Sequence, residues 1–154
     1  MKSIIGIILI AIVSGCATPY QNEGFKGGYS EVALGDNVYQ VAFSGNAYVS
    51  ASKVADFALL RSAELTLEKG FRYFVIVDNA HRETTGVVRT PMTTYASTYG
   101  NTTTYNTYGG VGHSYSKPSD TNTIVCFKER PEGFAYDARQ VATSLRQKHR
   151  LATH

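Results

Sequence analysis

The sequence lacks tryptophan, contains only two cysteines and has few charged residues for its length. Charged residues make up 18% of the 154 residues, against about 25% in an average soluble domain. The formal net charge is only +3, which argues against the strong electrostatic attraction that nucleic-acid binding needs. The length suits one domain with an appendage. These values exclude a multi-domain assembly and predict that nucleic acid is not a partner.

The common sequence signatures of catalysis and metal binding are also missing. There is no HExxH, no pair of CxxC motifs and no GxSxG. The glycines around position 110 lack the following lysine of a phosphate-binding loop. We therefore expect a protein that is not an enzyme, with no metal and no cofactor.

One enzymatic or metal-binding alternative stays open. Asp78 and His81 come just after a predicted strand, where an acid and a histidine could bind metal or act as a general base. His113, together with His81 and Cys126, could contribute to a zinc site, although the spacings match no standard ligand pattern. The alternative function is thus a periplasmic enzyme, such as a hydrolase, or a metal-binding protein that uses Asp78, His81 and His113.

The start of the chain has the pattern of a secretory signal. A lysine at position 2 precedes an apolar run over residues 4–13. This run is too short to cross a bilayer core, because a spanning helix needs about 20 residues. Small residues follow the run, as they do at a signal cleavage site. We predict that residues 1–15 are a signal peptide.

Residues 13–16, Val-Ser-Gly-Cys, resemble the lipobox of bacterial lipoproteins. The resemblance implies cleavage between Gly15 and Cys16, a diacylglycerol thioether on Cys16 and acylation, for example by palmitate, of the new amino group. Ala17 in place of aspartate resembles lipoproteins that are forwarded to the outer membrane. Several acyl chains, at about 0.8 kcal/mol per buried CH₂, anchor a protein durably. The resemblance therefore implies a lipid-anchored protein at the periplasmic face of the bacterial outer membrane. The alternative to a lipobox is an ordinary cleaved signal that happens to end near a cysteine.

Cys126 would then be the remaining thiol, which excludes an intramolecular disulfide. It lies in an apolar stretch that predicts a strand, and nothing near it in sequence would make it an exposed thiolate. We expect a buried, inert thiol.

The mature chain predicts an α+β fold. Residues 16–28 are rich in glycine and polar residues, which is typical of a flexible tether for the lipidated end. A single domain follows over residues 29–154. Its strands are expected at residues 29–34, 38–44, 71–78 and 123–128, and its helices from Ser50 or Ser52 to Lys69 and over residues 137–150.

These elements predict a small, mainly antiparallel four-stranded sheet packed by two helices, in ββαββα order. The strand–helix–strand crossover should be right-handed and place the third strand parallel to the second. The first strand would lie between them, and the last would join an edge. On the first helix, Arg61 lies one turn from Glu64 and two turns from Glu68, which favours an ion-paired rim over a polar site that binds a ligand or partner.

Residues 84–123 form a long Thr/Tyr-rich, low-complexity insertion between strands 3 and 4. The charged residues in it are Arg89, Lys117 and Asp120. We expect an extended protrusion in which alternating Thr and Tyr could form a transient hairpin. Tyrosines give large amphipathic contact area at low entropic cost, so this loop is the candidate surface for an envelope protein or glycan partner, with a plain spacer as the alternative. The candidate residues are Tyr95, Tyr99, Tyr105, Tyr108 and Tyr115.

Further stretches resemble a family of small proteobacterial lipoproteins of uncharacterised function. They are Ala-Thr-Pro-Tyr at 17–20, Gly-Gly-Tyr-Ser-Glu at 27–31, Val-Ala-Phe-Ser-Gly-Asn at 41–46, Leu-Leu-Arg-Ser-Ala-Glu-Leu-Thr at 59–66 and Gly-Phe-Arg-Tyr-Phe-Val at 70–75. The family has no established activity, so the resemblance implies a lipid-anchored envelope protein and no catalytic residues.

Overall fold

The computed structural model describes residues 18–152. They divide into unit 1, which contains residues 18–83 and 117–152, and unit 2, Thr84–Ser116. Among the described residues 48% are in strands and 22% in helices, so this part of the chain is mostly β and the expected α+β class is wrong. The elements in chain order are β1 Gly28–Ala33, β2 Val38–Ser44, α1 Ala51–Glu68, β3 Tyr73–Arg89, β4 Thr93–Tyr99, β5 Thr102–Tyr108, β6 Gly112–Phe127, β7 Tyr136–Asp137 and α2 Ala138–His149.

The expected four-stranded ββαββα sheet is wrong. The main sheet has five strands in the order β1-β2-β6-β3-β7, and β4 and β5 form a second, two-stranded sheet. The first strand lies at an edge instead of between its two successors. The last long strand, expected at an edge over residues 123–128, is β6, and it lies between β2 and β3.

The buried polar residues of β6 explain this error. Alternate positions of the strand from 118 to 126 are buried, and two of them are Asp120 and Asn122, which are 4% and 2% exposed. A strand that buries polar side chains does not show the apolar alternation on which strand prediction depends. β7 has only two residues, which is too short to give any periodic signal.

Both predicted helices are confirmed. The Ser50 hydroxyl accepts a hydrogen bond from the backbone N–H of Lys53 at 3.2 Å and caps the start of α1. The helix ends at Glu68, with Lys69 as its C-cap and Gly70 next. The Asp137 carboxylate caps α2 by accepting from the backbone N–H groups of Arg139 and Gln140. The capping serine indicated the start of α1, and the apolar stripe indicated α2, whose cap Asp137 the sequence analysis did not name.

The core of unit 1 lies between the sheet and the helices. On β2, Tyr39, Val41 and Phe43 are buried, and Tyr39 faces the buried Ile124 of β6 across the antiparallel pair. Helix α1 covers this face with Leu60, Leu65 and Phe57, among other residues. This packing joins the β1–β2 hairpin, residues 117–127 of β6 and α1 in one core, which we call the platform.

The segment before β1 is part of this platform. We expected residues 16–28 to be a flexible tether, but Thr18 is only 1% exposed. The ring of Tyr20 lies 5.1 Å from that of Tyr29 and 5.3 Å from that of Phe57. Thr18 and Tyr20 are thus packed within unit 1, whereas residues 21–26 are exposed.

An ion-paired cluster joins α1 to the end of α2. The Asp56 carboxylate lies 2.6 Å from Lys148 Nζ and 2.8 Å from His149 Nε2, and the imidazole packs edge-on against the Phe57 ring. Burial by itself would raise the pKa of Asp56, but hydrogen bonds and charges from Lys148 and His149 outweigh it and lower that pKa below its usual value.

Replacing Asp56 with asparagine should lower the free energy of unfolding by about 1 kcal/mol at neutral pH. A carboxylate with a lowered folded-state pKa stabilises the fold above its unfolded-state pKa, and this stabilisation disappears as the pH falls through the folded-state value. The difference between wild type and D56N, measured by urea unfolding, should therefore shrink between about pH 5 and pH 2. A difference that stays constant over this range, or that equals the difference for the exposed Asp36→Asn, would contradict the assignment.

Candidate functional site

Strands β4 and β5 form a two-stranded antiparallel sheet, which we call the ribbon. Thr93 pairs with Tyr108 at one end, and Tyr99 pairs with Thr102 at the other. Gly100 and Asn101 make the two-residue turn, and Gly100 adopts φ +63, a conformation that favours glycine. The expected insertion over residues 84–123 is thus built from strands, and its residues 117–123 belong to β6 of unit 1.

The register of the ribbon places three tyrosines on one side. Side chains alternate between the two faces of a strand, and directly paired residues share a face. Tyr95 and Tyr99 are four residues apart on β4 and therefore share a face, together with Thr93. Tyr108 of β5 pairs with Thr93 and so lies on the same face. The Tyr95 and Tyr108 rings lie 6.2 Å apart. We call Tyr95, Tyr99 and Tyr108 the tyrosine face.

The opposite side of the ribbon consists mainly of threonines. Hydroxyl–hydroxyl hydrogen bonds of 2.9 Å join Thr94 to Thr107 and Thr98 to Thr103. Tyr105, which pairs with Ala96, lies on this side between the two threonine pairs. The five tyrosines proposed from the sequence therefore do not form one surface.

Tyr115 also differs from the tyrosine face, because it is partly buried within unit 2. A Cβ atom added to Gly86 would lie 2.5 Å from the hydroxyl end of the Tyr115 ring, so the ring covers the space that a side chain at position 86 would fill. A ring that covers a glycine on a neighbouring strand stabilises strand pairing. Tyr115 thus has a structural use inside the unit.

The tyrosine face is exposed and uncharged. The exposed fractions are 62% for Tyr95, 93% for Tyr99 and 64% for Tyr108. Arg89 is the only Asp, Glu, Lys or Arg in the sequence of unit 2. Such a surface can stack aromatic rings on a partner and donate phenolic hydrogen bonds, but it offers little electrostatic attraction.

Two residues of the enzymatic alternative, Asp78 and His81, lie on β3 in unit 1. His81, in unit 1, meets Asp120 and not Asp78: His81 Nδ1 is 3.5 Å from Asp120 Oδ1. The amide of Asn79 donates to both Asp120 oxygens, at 3.3 and 3.1 Å, and to Asn122 at 2.7 Å. Asp78 itself is exposed. This arrangement satisfies the buried Asp120 and Asn122 with protein partners.

His113 is an exposed residue of unit 2. Within residues 18–152, no three His, Cys, Asp or Glu side chains come together in a way that could hold a metal ion. Cys126 is 1% exposed in the core, with Sγ 3.4 Å from the Thr66 hydroxyl, and burial raises the pKa of its thiol. A buried, protonated thiol agrees with the expected inert role.

Arg61 forms the expected ion pairs with Glu64 and Glu68, but it is only 7% exposed, a burial that the helix spacing did not indicate. Its Nε lies 2.7 Å from the Glu31 carboxylate and its Nη1 lies 2.7 Å from Glu68. The guanidinium also lies 4.7 Å from the centre of the Tyr29 ring. Burial would lower the pKa of Arg61, but the hydrogen bonds and charges of Glu31 and Glu68 raise it above its ordinary value. Glu31 is on β1, so the helix spacing did not indicate it.

Glu64 connects this cluster to the segment before β1. Its carboxylate accepts a hydrogen bond from the Tyr20 hydroxyl and forms ion pairs with Arg61 and Arg146. Burial, together with the Glu64 carboxylate, raises the pKa of Tyr20 above its ordinary value, so the phenol stays protonated and donates. The cluster therefore holds Tyr20 against α1.

The proposed cleavage and lipidation residues, Gly15 and Cys16, lie outside the described residues. Neither helix within residues 18–152 has the length and apolarity needed to cross a membrane.

Comparison with known proteins gives no match: no family model, no curated protein and no solved structure matches this chain.

Proposed function

We propose that this chain is a lipid-anchored, non-enzymatic protein of the bacterial cell envelope whose tyrosine face binds an envelope protein or glycan. The proposed anchor is Cys16, at the periplasmic face of the outer membrane. Two sequence features support it: the Val-Ser-Gly-Cys stretch at residues 13–16, and the resemblance of residues 16–78 to small proteobacterial lipoproteins.

One observation carries the binding proposal, namely the alignment of three exposed tyrosines on one face of the ribbon. A tyrosine has few side-chain torsions, so it loses little conformational entropy when a partner covers it. It combines an aromatic face for stacking with a hydroxyl for hydrogen bonding, which suits both sugar rings and protein surfaces. The low charge of unit 2 further predicts that binding depends only weakly on salt.

The size of the tyrosine face is suitable for a modest interface. Three aromatic side chains bury about 500 Å² when fully covered, against about 800 Å² per partner in a standard interface. An isolated two-stranded hairpin is only marginally stable in water, so a partner that packs on it would also stabilise the ribbon. We therefore expect the tyrosines to supply most of the contact area and the neighbouring Thr, Ser and Asn side chains to supply the rest.

Replacing Tyr95, Tyr99 and Tyr108 together with threonine should weaken partner binding roughly 100-fold, since each buried tyrosine contributes about 1 kcal/mol or more. Threonine keeps the strand preference of the ribbon. Two measurements separate the partner classes. Co-sedimentation with purified peptidoglycan sacculi detects a glycan, and photo-crosslinking in cells from a benzoylphenylalanine at position 99 detects a protein.

The matched control is Tyr105→Thr on the opposite side of the ribbon, which should retain binding. Circular dichroism should show the same thermal unfolding of unit 1 for all variants. Equal binding by wild type and the triple variant, or an equal loss in Y105T, would contradict the proposal for this face.

A further inference from the structure

Two exposed aromatic residues lie in loops that meet at Thr18. Phe25 is 107% exposed and Tyr48 is 73% exposed. The Thr18 hydroxyl donates to the backbone carbonyl of Lys26 at 2.8 Å and accepts from the backbone N–H of Asn46 at 2.8 Å. Thr18 thus ties the loop that carries Phe25 to the loop that carries Tyr48.

The loop with Phe25 is a tight and well-supported turn. Gly24 and Gly27 exchange two backbone hydrogen bonds, of 3.2 and 2.9 Å, which leaves Phe25 and Lys26 at the tip. Gly27 has φ +89, and a Cβ atom there would come within 2.2 Å of the Ser44 carbonyl oxygen. Only glycine fits at this position, so the turn is held directly against the end of β2.

The loop with Tyr48 is fixed in a similar way. The Asn46 side-chain oxygen accepts from the backbone N–H of Tyr48 at 3.0 Å, and the Asn46 carbonyl accepts from Val49 at 3.3 Å. Val49 is buried. Both aromatic residues are therefore presented by ordered loops of unit 1 and not by a long flexible segment.

Chain length places the proposed lipid close to these loops. One residue separates Cys16 from Thr18, and an extended chain spans at most about 3.6 Å per residue, so the two Cα atoms can be at most about 7 Å apart. Thr18 is buried and Tyr20 is held by Glu64, so the packed segment provides no slack. A lipid on Cys16 would therefore bring the surroundings of Thr18 to the level of the lipid headgroups.

The exposed side chains around Thr18 are of types that favour the lipid headgroup region. Aromatic rings concentrate at membrane–water interfaces, and the ammonium group of Lys26 can pair with lipid phosphates. Glu23 offsets the charge of Lys26, so insertion of the aromatic rings, and not net charge, should dominate. We propose that Phe25, Lys26 and Tyr48 form a docking face for a phospholipid surface, which holds unit 1 directly on the bilayer in one orientation. This inference rests on the proposed lipid anchor at Cys16.

The absence of tryptophan makes a direct test possible. Three variants of the full-length protein, each with a single tryptophan, are produced in bacteria and reconstituted into phosphatidylethanolamine/phosphatidylglycerol vesicles: Phe25→Trp, Tyr48→Trp and Phe134→Trp. Phe134 is the matched control, because it is 72% exposed and packs on Tyr136 of β7, at the sheet edge opposite β1. Each sample is then titrated with lipids brominated on the acyl chains, which quench only tryptophan in the bilayer.

We expect a blue-shifted emission and strong quenching by brominated lipid for F25W and Y48W, and neither for F134W. If the protein floats with the vesicles but F25W and Y48W are quenched no more than F134W, the docking face is wrong and the anchor stands. Equal quenching of all three would also overturn the docking face. If the protein does not float and its Cys16 carries no lipid, the proposed anchor fails, and the docking face fails with it.

Discussion

Replacing Arg61 with methionine should lower the free energy of unfolding by about 2–3 kcal/mol, because the guanidinium is buried while the side chains of Glu31 and Glu68 are 35% and 54% exposed and stay solvated without it. Methionine has a similar shape and helix preference, so the change removes mainly the charge and the hydrogen bonds. In the wild type the carboxylates of Glu31, Glu64 and Glu68 lie within 4 Å of the guanidinium. In the variant Glu64 keeps its ion pair with Arg146, and Glu31 and Glu68 lose the cation that they share. Their mutual repulsion adds to the loss of the hydrogen bonds.

The matched control is Arg72→Met, which removes an exposed ion pair. Arg72 Nε lies 3.4 Å from Asp137, and the side chain is 66% exposed. Exposed pairs contribute about 0–1 kcal/mol, so R72M should change the stability little. Urea unfolding followed by circular dichroism measures both variants. A loss below 1 kcal/mol for R61M would show that the buried cluster does not stabilise unit 1.

The helices could be predicted because their signals are local. Ser50 and Asp137 each cap a helix, and the apolar residues between the caps repeat at helical spacing. The sheet could not be predicted equally well because its order depends on distant pairings. Asp120 and Asn122 occupy buried positions of β6, where their hydrogen bonds with Asn79 replace the apolar contacts that a sequence pattern would show.

The candidate site was predictable in composition but not in geometry. The excess of tyrosine and threonine in residues 84–123 indicated the segment. The division into the tyrosine face and the threonine side follows from the pairing of Thr93 with Tyr108, which the irregular spacing of the tyrosines did not reveal. The sequence did not indicate Phe25 and Tyr48 as neighbours, because the hydrogen bonds of Thr18 that join their loops link residues distant in the chain.

Replacing Cys16 with serine should move nearly all of the protein from the membrane fraction to the soluble periplasmic fraction. The sulfur nucleophile forms the thioether in lipoproteins, and a hydroxyl does not replace it in that reaction. Without acyl chains, the few exposed aromatic side chains near Thr18 provide too little buried apolar surface for stable attachment. The matched control, Cys126→Ala, removes the buried thiol and should leave the protein in the membrane fraction.

The central claim is that the mature protein begins at a lipidated Cys16, because both the docking face and the display of the tyrosine face at the membrane depend on it. Mass spectrometry of the tryptic peptide that ends at Lys26 tests this claim most directly. The account predicts a peptide of residues 16–26 that carries a diacylglyceryl group and an amide-linked acyl chain. A peptide with an unmodified Cys16, or an amino terminus at any other residue, would contradict it.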